Sequence, residues 1–176
     1  IRLDDEEFIE VDDTLRTTVE GVWALGDVNG GPPFTHVAYD DYRVVRENLL
    51  GSGGADRSGR VLPYTLFTDP QLGRVGRTEA DARAEGFDVK IGSIPTAETA
   101  RAKETNETLG MMKIVLDADS DHILGAAILA PQGGEIAAMI QLAMMGNLEP
   151  RDLRDGMFSH PTWSESLNAL FGSVDD

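Results

Sequence analysis

Two apolar runs near the middle of the chain constrain its fold most. "GMMKIVLD" (110–117) and "HILGAAILA" (122–130) are joined by the short polar stretch "DADSD". Runs of this length, rich in β-branched and aliphatic residues and bounded by turn residues, read as buried strands. The short connection makes them an antiparallel hairpin. Around the hairpin lie segments of other periods. "VLPYTLF" and "DVKIGSI" read as further strands. "RTEADARAEG" has Thr78 at a helix start, Asp81 three residues later and Gly86 as a stop, a capping-box variant. "GGEIAAMIQLAMMGN" aligns Ile136, Met139, Ile140, Ala143 and Met144 on one helical face. "EPRDLRD" and "TWSESLNALF" predict two more helices. Clustered strands with separate helices predict an α+β fold, an antiparallel sheet packed by helices, over residues 61–176.

Residues 51–60, "GSGGADRSGR", have the composition of a flexible linker. They divide this unit from residues 1–50. That first part predicts a strand over Phe8, Ile9 and Val11 and a second over Val22–Leu25. A helix follows, with Val37, Tyr42 (or Asp41), Val45 and Leu49 at helical spacing and Gly51 at its end. Two strands and one helix bury too little to fold alone. They read as the end of a larger domain.

Composition narrows the function. The 176 residues include 31 acidic and 15 basic ones, a formal charge of −16. Such a surface repels phosphate backbones, so no nucleic-acid partner is expected. The charge is spread along the chain; a salty habitat and simple solubility both account for it. No run of 18 apolar residues suggests a membrane span. Cysteine is absent, so the chain carries no thiolate metal site and no dithiol pair of its own. The three histidines lie far apart and lack metal-ligand spacing, so no metal site is expected.

Each chemical candidate has a plainer counterpart. Asp27 in "VWALGDVNGG" ends an apolar segment beside glycine. It suits a carboxylate accepting hydrogen bonds from a polyol, and equally an ordinary strand-to-loop turn. His36 opens a helix whose N–H groups could face an anion or a carbonyl, while Thr35 could simply cap it. Gly133–Gly134 suits tight entry into the following helix, with anion binding the lesser alternative. His122 receives no role. "SHPTWSESLNALF" combines a capping box, Thr162 with Glu165, and a histidine, His160, ahead of the helix. The helix dipole favours neutral imidazole there, and the Glu165 carboxylate could orient one ring nitrogen for acid–base work. Box and dyad compete for the same carboxylate, although its two oxygens could divide the work.

Three segments together resemble the carboxyl-terminal part of the flavin-dependent pyridine nucleotide–disulfide oxidoreductases, which include dihydrolipoamide dehydrogenase, glutathione reductase and mercuric reductase. "TLRTTVEGVWALGDV" is similar to the family's second FAD motif. "PYTLFTDPQLGRVGRTEADARAEG" and "RAKETNETLGMMKIVLDADSDHILGAAILAPQGGEI" resemble the body of its dimerisation domain, and "SHPTWSE" its terminal His-Pro-Thr motif. The likeness covers nearly the whole chain in the right order. It implies residues 1–50 as the end of an FAD-binding domain, 51–60 as a linker and 61–176 as the dimerisation domain. It implies that Asp27 hydrogen-bonds the ribityl or diphosphate region of FAD, and that Thr35, His36 and Val37 lie beside the flavin's pyrimidine edge. His160, after a cis peptide bond to Pro161, is implied as the acid–base residue for redox cysteines of the partner subunit, with Glu165 as its partner.

The resemblance further implies a cytoplasmic homodimer using FAD and NAD(P)H on a disulfide, dithiol or metal-ion substrate. The family's dinucleotide fingerprint, NAD(P)H domain and CxxxxC pair are absent from these residues. The chain is therefore expected to be a piece of a longer protein, holding FAD only loosely and inactive by itself. The ending "GSVDD" lacks the cysteine pair usual in mercuric reductases, and the His-Pro-Thr motif is retained; both weigh against that substrate. "PPFTHVAYDDYRVV" and "SLNALF" nonetheless look closer to mercuric-reductase-like and metal- or oxidant-responsive branches. "TDPQ" at 68–71 replaces the family's Thr-x-Pro-Glu, removing a charge, with altered interface contacts expected. A non-catalytic dimerisation or interaction module is the reading of a different class.

Overall fold

The apolar hairpin is the centre of a five-stranded sheet. In the computed structural model, which describes residues 1–174, strands β4 (Met111–Asp117) and β5 (Ile123–Ala130) pair antiparallel, with a register shift at Val115/Leu116. Strands β1 (Pro63–Leu66), β2 (Gln71–Gly76) and β3 (Val89–Pro95) complete the order β1-β2-β5-β4-β3, antiparallel throughout. The predicted α+β architecture is the observed one. Asp175 and Asp176 lie outside the described residues, so the ending "GSVDD" is described only to Val174.

Alternation along the strands sends Met112, Ile114 and Leu116 of β4, Ala126 and Ile128 of β5 and Val75 of β2 into one core. Helix α4 (Gly133–Met145) covers them with Ile136, Ala137, Ile140 and Ala143. Its first turn almost touches the sheet: a Cβ on Gly73 would lie 2.1 Å from the Gly133 carbonyl oxygen, and one on Gly133 2.5 Å from that of Ile128. The paired glycines thus allow tight entry into the helix. Gln71 Oε1 accepts a long hydrogen bond of 3.4 Å from the Gly134 amide, so the neutral side chain at this position meets the helix start. β2 was not anticipated. Its "QLGRVG" has two glycines and an arginine, a poor intrinsic strand, and it exists because β1 and β5 pair with it on both sides.

The shorter helices are α2 (Glu79–Ala84), α3 (Ala100–Thr105), α5 (Pro150–Arg154) and α6 (Ser166–Gly172), with α1 (Thr35–Leu50) preceding the sheet. α2 carries the full capping box, Thr78 accepting from the Asp81 amide and Asp81 from that of Thr78. α6 seats Leu167, Leu170 and Phe171 in the core beside Trp163. It begins at Ser166 rather than at Thr162, because residues 162–165 form a tight turn with i→i−3 bonds such as Ser166 N–H to Trp163 O.

Residues 1–60 and 61–174 are separate compact units. The first has no extended strand ladder among its described residues, only the isolated bridges Leu3↔Ile9, Val11↔Thr17 and Arg16↔Trp23. The two expected strands are therefore corrected. Asp4 Oδ1 takes the amides of Glu6 and Phe8, and Asp12 Oδ1 those of Thr14 and Arg16. These carboxylates draw amide groups into turns instead of a ladder. α1 buries Val37, Asp41, Val44 and Val45, while Tyr42 and Leu49 are exposed. The glycine-rich stretch is tied back: Asn48 exchanges hydrogen bonds with Ala55, and the Arg57 amide bonds the Asp13 carbonyl.

Candidate functional site

Two groups of predicted residues fall one in each unit. In the second, the loop after α5 is fastened to α6 by Asn168. Its Nδ2 donates to the carbonyls of Leu153, Arg154 and Gly156 at 2.9–3.0 Å. Sequence reasoning passed over this asparagine, which reads there as one more helix residue. The loop ends in a cis His160–Pro161 bond, as the resemblance implied. Thr162 Oγ1 donates to the Ser159 carbonyl at 2.7 Å and accepts from the Glu165 amide at 3.3 Å.

Half of the expected capping box is thus present. The other half is replaced. Both carboxylate oxygens of Glu165 lie 2.9 Å from His160 Nδ1. The imidazole side chain is 63% exposed and Glu165 29%. The Glu165 hydrogen bond, then its charge, raise the His160 pKa above the ordinary 6.5 against an opposing effect of burial, with the smallest contribution from Glu104. Glu165 thus acts on the ring in the opposite sense to the helix dipole that the sequence suggested: a full carboxylate charge at hydrogen-bond distance outweighs the fractional charge of a helix end. The arrangement can hold a proton at one ring nitrogen while the other faces incoming groups.

In the first unit, Gly26–Asn29 form a single 3-10 turn, with Asp27 exposed on it. Gly26 has φ +71°, and a Cβ there would lie 3.0 Å from Ala38 Cβ, so the turn rests against α1. α1 starts without a side-chain cap and without an acidic residue in its first turn. Thr35 is therefore not the cap; it lies inside the helix, after Phe34. Thr35 and His36 are exposed, and the His36 ring stacks on Phe34 with centroids 5.3 Å apart. Val37 turns into the interior, 7% exposed, leaving only its backbone for any ligand. Asp41, also missed as a polar site, is buried behind the turn and bonds it directly. Its visible signals were the adjacent acidic pair at 40–41 and its spacing of four from Val37 and Val45 on the apolar helix face.

Comparison with known proteins identifies the lineage. Residues 62–171 match the pyridine nucleotide-disulphide oxidoreductase dimerisation domain, and residues 1–41 match the pyridine nucleotide-disulphide oxidoreductase family.

The chain belongs to this family.

Among its relatives, the probable pyridine nucleotide-disulfide oxidoreductase RclA of Escherichia coli is 41% identical over 99% of this chain and 40% of its own length. The dihydrolipoyl dehydrogenase of Haloferax volcanii is 36% identical over 95% of this chain and 35% of its own. The solved structure of the HOCl-induced flavoprotein disulfide reductase RclA from Escherichia coli superposes with a TM-score of 0.91 at 40% identity, covering 99% of this chain and 40% of that one. The chain thus spans about 40% of the length of the RclA relative. Among the described residues, no helix is long and apolar enough to cross a membrane, and no three histidine or carboxylate groups converge as a metal site.

Proposed function

We propose that this chain is the carboxyl-terminal portion of an FAD- and NAD(P)H-dependent disulfide oxidoreductase that works as a homodimer. Residues 1–50 end the FAD-binding domain, 51–60 connect, and 61–176 form the dimerisation domain. The observation carrying this reading is the exposed His160 ring held at Nδ1 by Glu165. A dithiol substrate passes one thiol proton to His160 Nε2. The resulting thiolate attacks a disulfide sulfur, forming the mixed disulfide and releasing the second sulfur as thiolate. Glu165 fixes the ring orientation and balances the imidazolium. Residues 1–176 contain no cysteine, so the disulfide lies outside them; in this reading, which follows the family resemblance, the partner subunit presents it.

FAD, when bound, supplies the electron transfer between NAD(P)H and the disulfide. The residues of the first unit suit that group. The exposed Asp27 carboxylate offers acceptors for ribityl hydroxyls, and the uncapped start of α1 offers its positive end to an electron-rich ring edge. Thr35 and His36 line that start, with Val37 contributing backbone. Cut off from the rest of the FAD domain, residues 1–176 retain no flavin and oxidise no NAD(P)H; stoichiometric flavin in the purified piece overturns this. Within the family, likeness to RclA, described as HOCl-induced and solved as a Cu(II) complex, favours an oxidant- or metal-responsive branch over lipoamide turnover.

The test is the full-length protein carrying His160→Ala. Dithiol turnover should fall by about 100-fold or more, as for loss of a general acid–base, and the residual rate should lose its pH dependence near neutrality. Flavin reduction by NAD(P)H should persist. Unimpaired dithiol turnover across pH leaves the dimerisation module without this chemistry.

A further inference from the structure

We infer that Asp41 is a positioning residue that sets the cofactor-facing turn, acting from behind it; the inference rests on the proposed role of Asp27 above. Asp41 is 1% exposed, on the inner face of α1. One oxygen, Oδ2, accepts from the Gly26 amide at 2.9 Å and from Asn29 Nδ2 at 3.1 Å. These are the first and last residues of the 3-10 turn, so the carboxylate grips both ends and leaves Asp27 and Val28 outward. Asn29 extends the grip, donating to the Ala24 carbonyl at 3.2 Å and accepting from the Gly31 amide at 3.0 Å. The other oxygen, Oδ1, receives Arg60 Nη1 at 2.7 Å. Arg60 Nε also lies 2.7 Å from Asp40 Oδ2, close enough for an ion pair though not aligned as a hydrogen bond.

A buried carboxylate is costly unless every oxygen is matched. Here both are matched, by groups that fix one backbone shape. Gly26, at φ +71° and against Ala38, has little freedom to shift without breaking the Asp41 bond. The turn carrying Asp27 and the helix start carrying Thr35 and His36 are therefore held in one geometry by a side chain whose hydrogen bonds go to Gly26, Asn29 and Arg60. Arg60, in the glycine-rich stretch, supplies the countercharge.

The experiment measures FAD dissociation constants and apoprotein melting temperatures for the full-length protein and its variants. Asp41→Asn keeps the shape but sets an amide group against a donor, either the turn or Arg60. It should weaken FAD binding by about tenfold or more. Val44→Ala destabilises the same unit through its small core and leaves the Asp41 hydrogen bonds to the turn in place. It should lower the apoprotein melting temperature while changing FAD affinity by less than about twofold. Equal affinity losses in the two variants, or an unchanged affinity in Asp41→Asn, overturn the positioning role. Should Asp41→Asn fail to fold, Asn29→Ala removes one link and keeps the carboxylate. It should weaken FAD by about threefold, and unchanged affinity there is equally fatal. Asp27→Ala separates the two levels. If it leaves affinity unchanged, the cofactor reading of the turn fails and the inference with it. If it weakens FAD while Asp41→Asn does not, only the inference fails.

Discussion

Residues 61–174 hold their shape with a sheet whose inner face is apolar, from Val75 through Ile128 to Met112, under α4 and α6. Residues 1–60 enclose a small cluster of Leu15, Val44 and Val45, edged by Val11, Trp23, Leu25 and Ala55, and they also bury Asp41. The larger unit is specified by volume, since close-packed side chains resist any change of size. The smaller one is specified by donors and acceptors: Asp4, Asp12, Asn29, Asp41 and Asn48 each satisfy backbone groups that no strand ladder serves. Where too few apolar residues exist for a core, polar side chains with definite geometry decide the backbone path.

The contrast breaks if the two cores respond alike to truncation. Ile140→Ala opens a void beneath a fully buried side chain and should cost about 2–5 kcal/mol in urea unfolding. Val44→Ala should cost about 1–2 kcal/mol, because its smaller cluster removes less contact. Equal losses would show that the first unit is as tightly packed as the second.

A second test concerns the contact between α4 and the sheet. Gly133→Ala places a methyl 2.5 Å from the Ile128 carbonyl oxygen and 2.7 Å from that of Gln71. Both are backbone atoms and cannot rotate away. Overpacking of this kind should cost about 1–3 kcal/mol, read from the same denaturation curves. A neutral outcome would mean that α4 can lift from β2 freely.

The smallest effect on stability, and the sharpest on chemistry, comes from Glu165→Gln. Without the carboxylate, the His160 pKa should fall back toward 6.5, measured by the imidazole resonances across a pH series. The sign follows from linkage. Because the folded value is raised, the pair's contribution to stability is fully present below the unfolded value and disappears as pH climbs through the raised folded one. The exposed ring makes that contribution small, and the variant should lose its pH dependence. A histidine that titrates unchanged in Glu165→Gln would mean the carboxylate is not what charges it.

Much of the second unit was legible in the amino-acid order. The hairpin of β4 and β5, the stripe of α4 and the capping box at Thr78 are local patterns, and nearby residues decide them. β2 was not legible, because its glycines and arginine carry no strand pattern; its partners 6–12 residues before and 49–59 residues after supply the pairing. In the first unit, the apolar residues Phe8, Ile9 and Val11 suggested a strand, and the aspartates beside it took the amides instead.

The two carboxylates mark the division between what the chain order determined and what the fold decided. Sequence alone placed His160, Pro161, Thr162 and Glu165 within one short motif, named the α+β class, and resembled one family. It left Glu165 divided between capping a helix and holding an imidazole. The tertiary structure decided that contest, because α6 begins only at Ser166 and frees the carboxylate to meet His160 Nδ1. Asp41 was a helix residue among others until α1 packed against the turn. Its burial then put one oxygen between Gly26 and Asn29, fifteen and twelve residues earlier in the chain. Local patterns reveal which groups are available; which donor a carboxylate meets depends on distances that only packing creates.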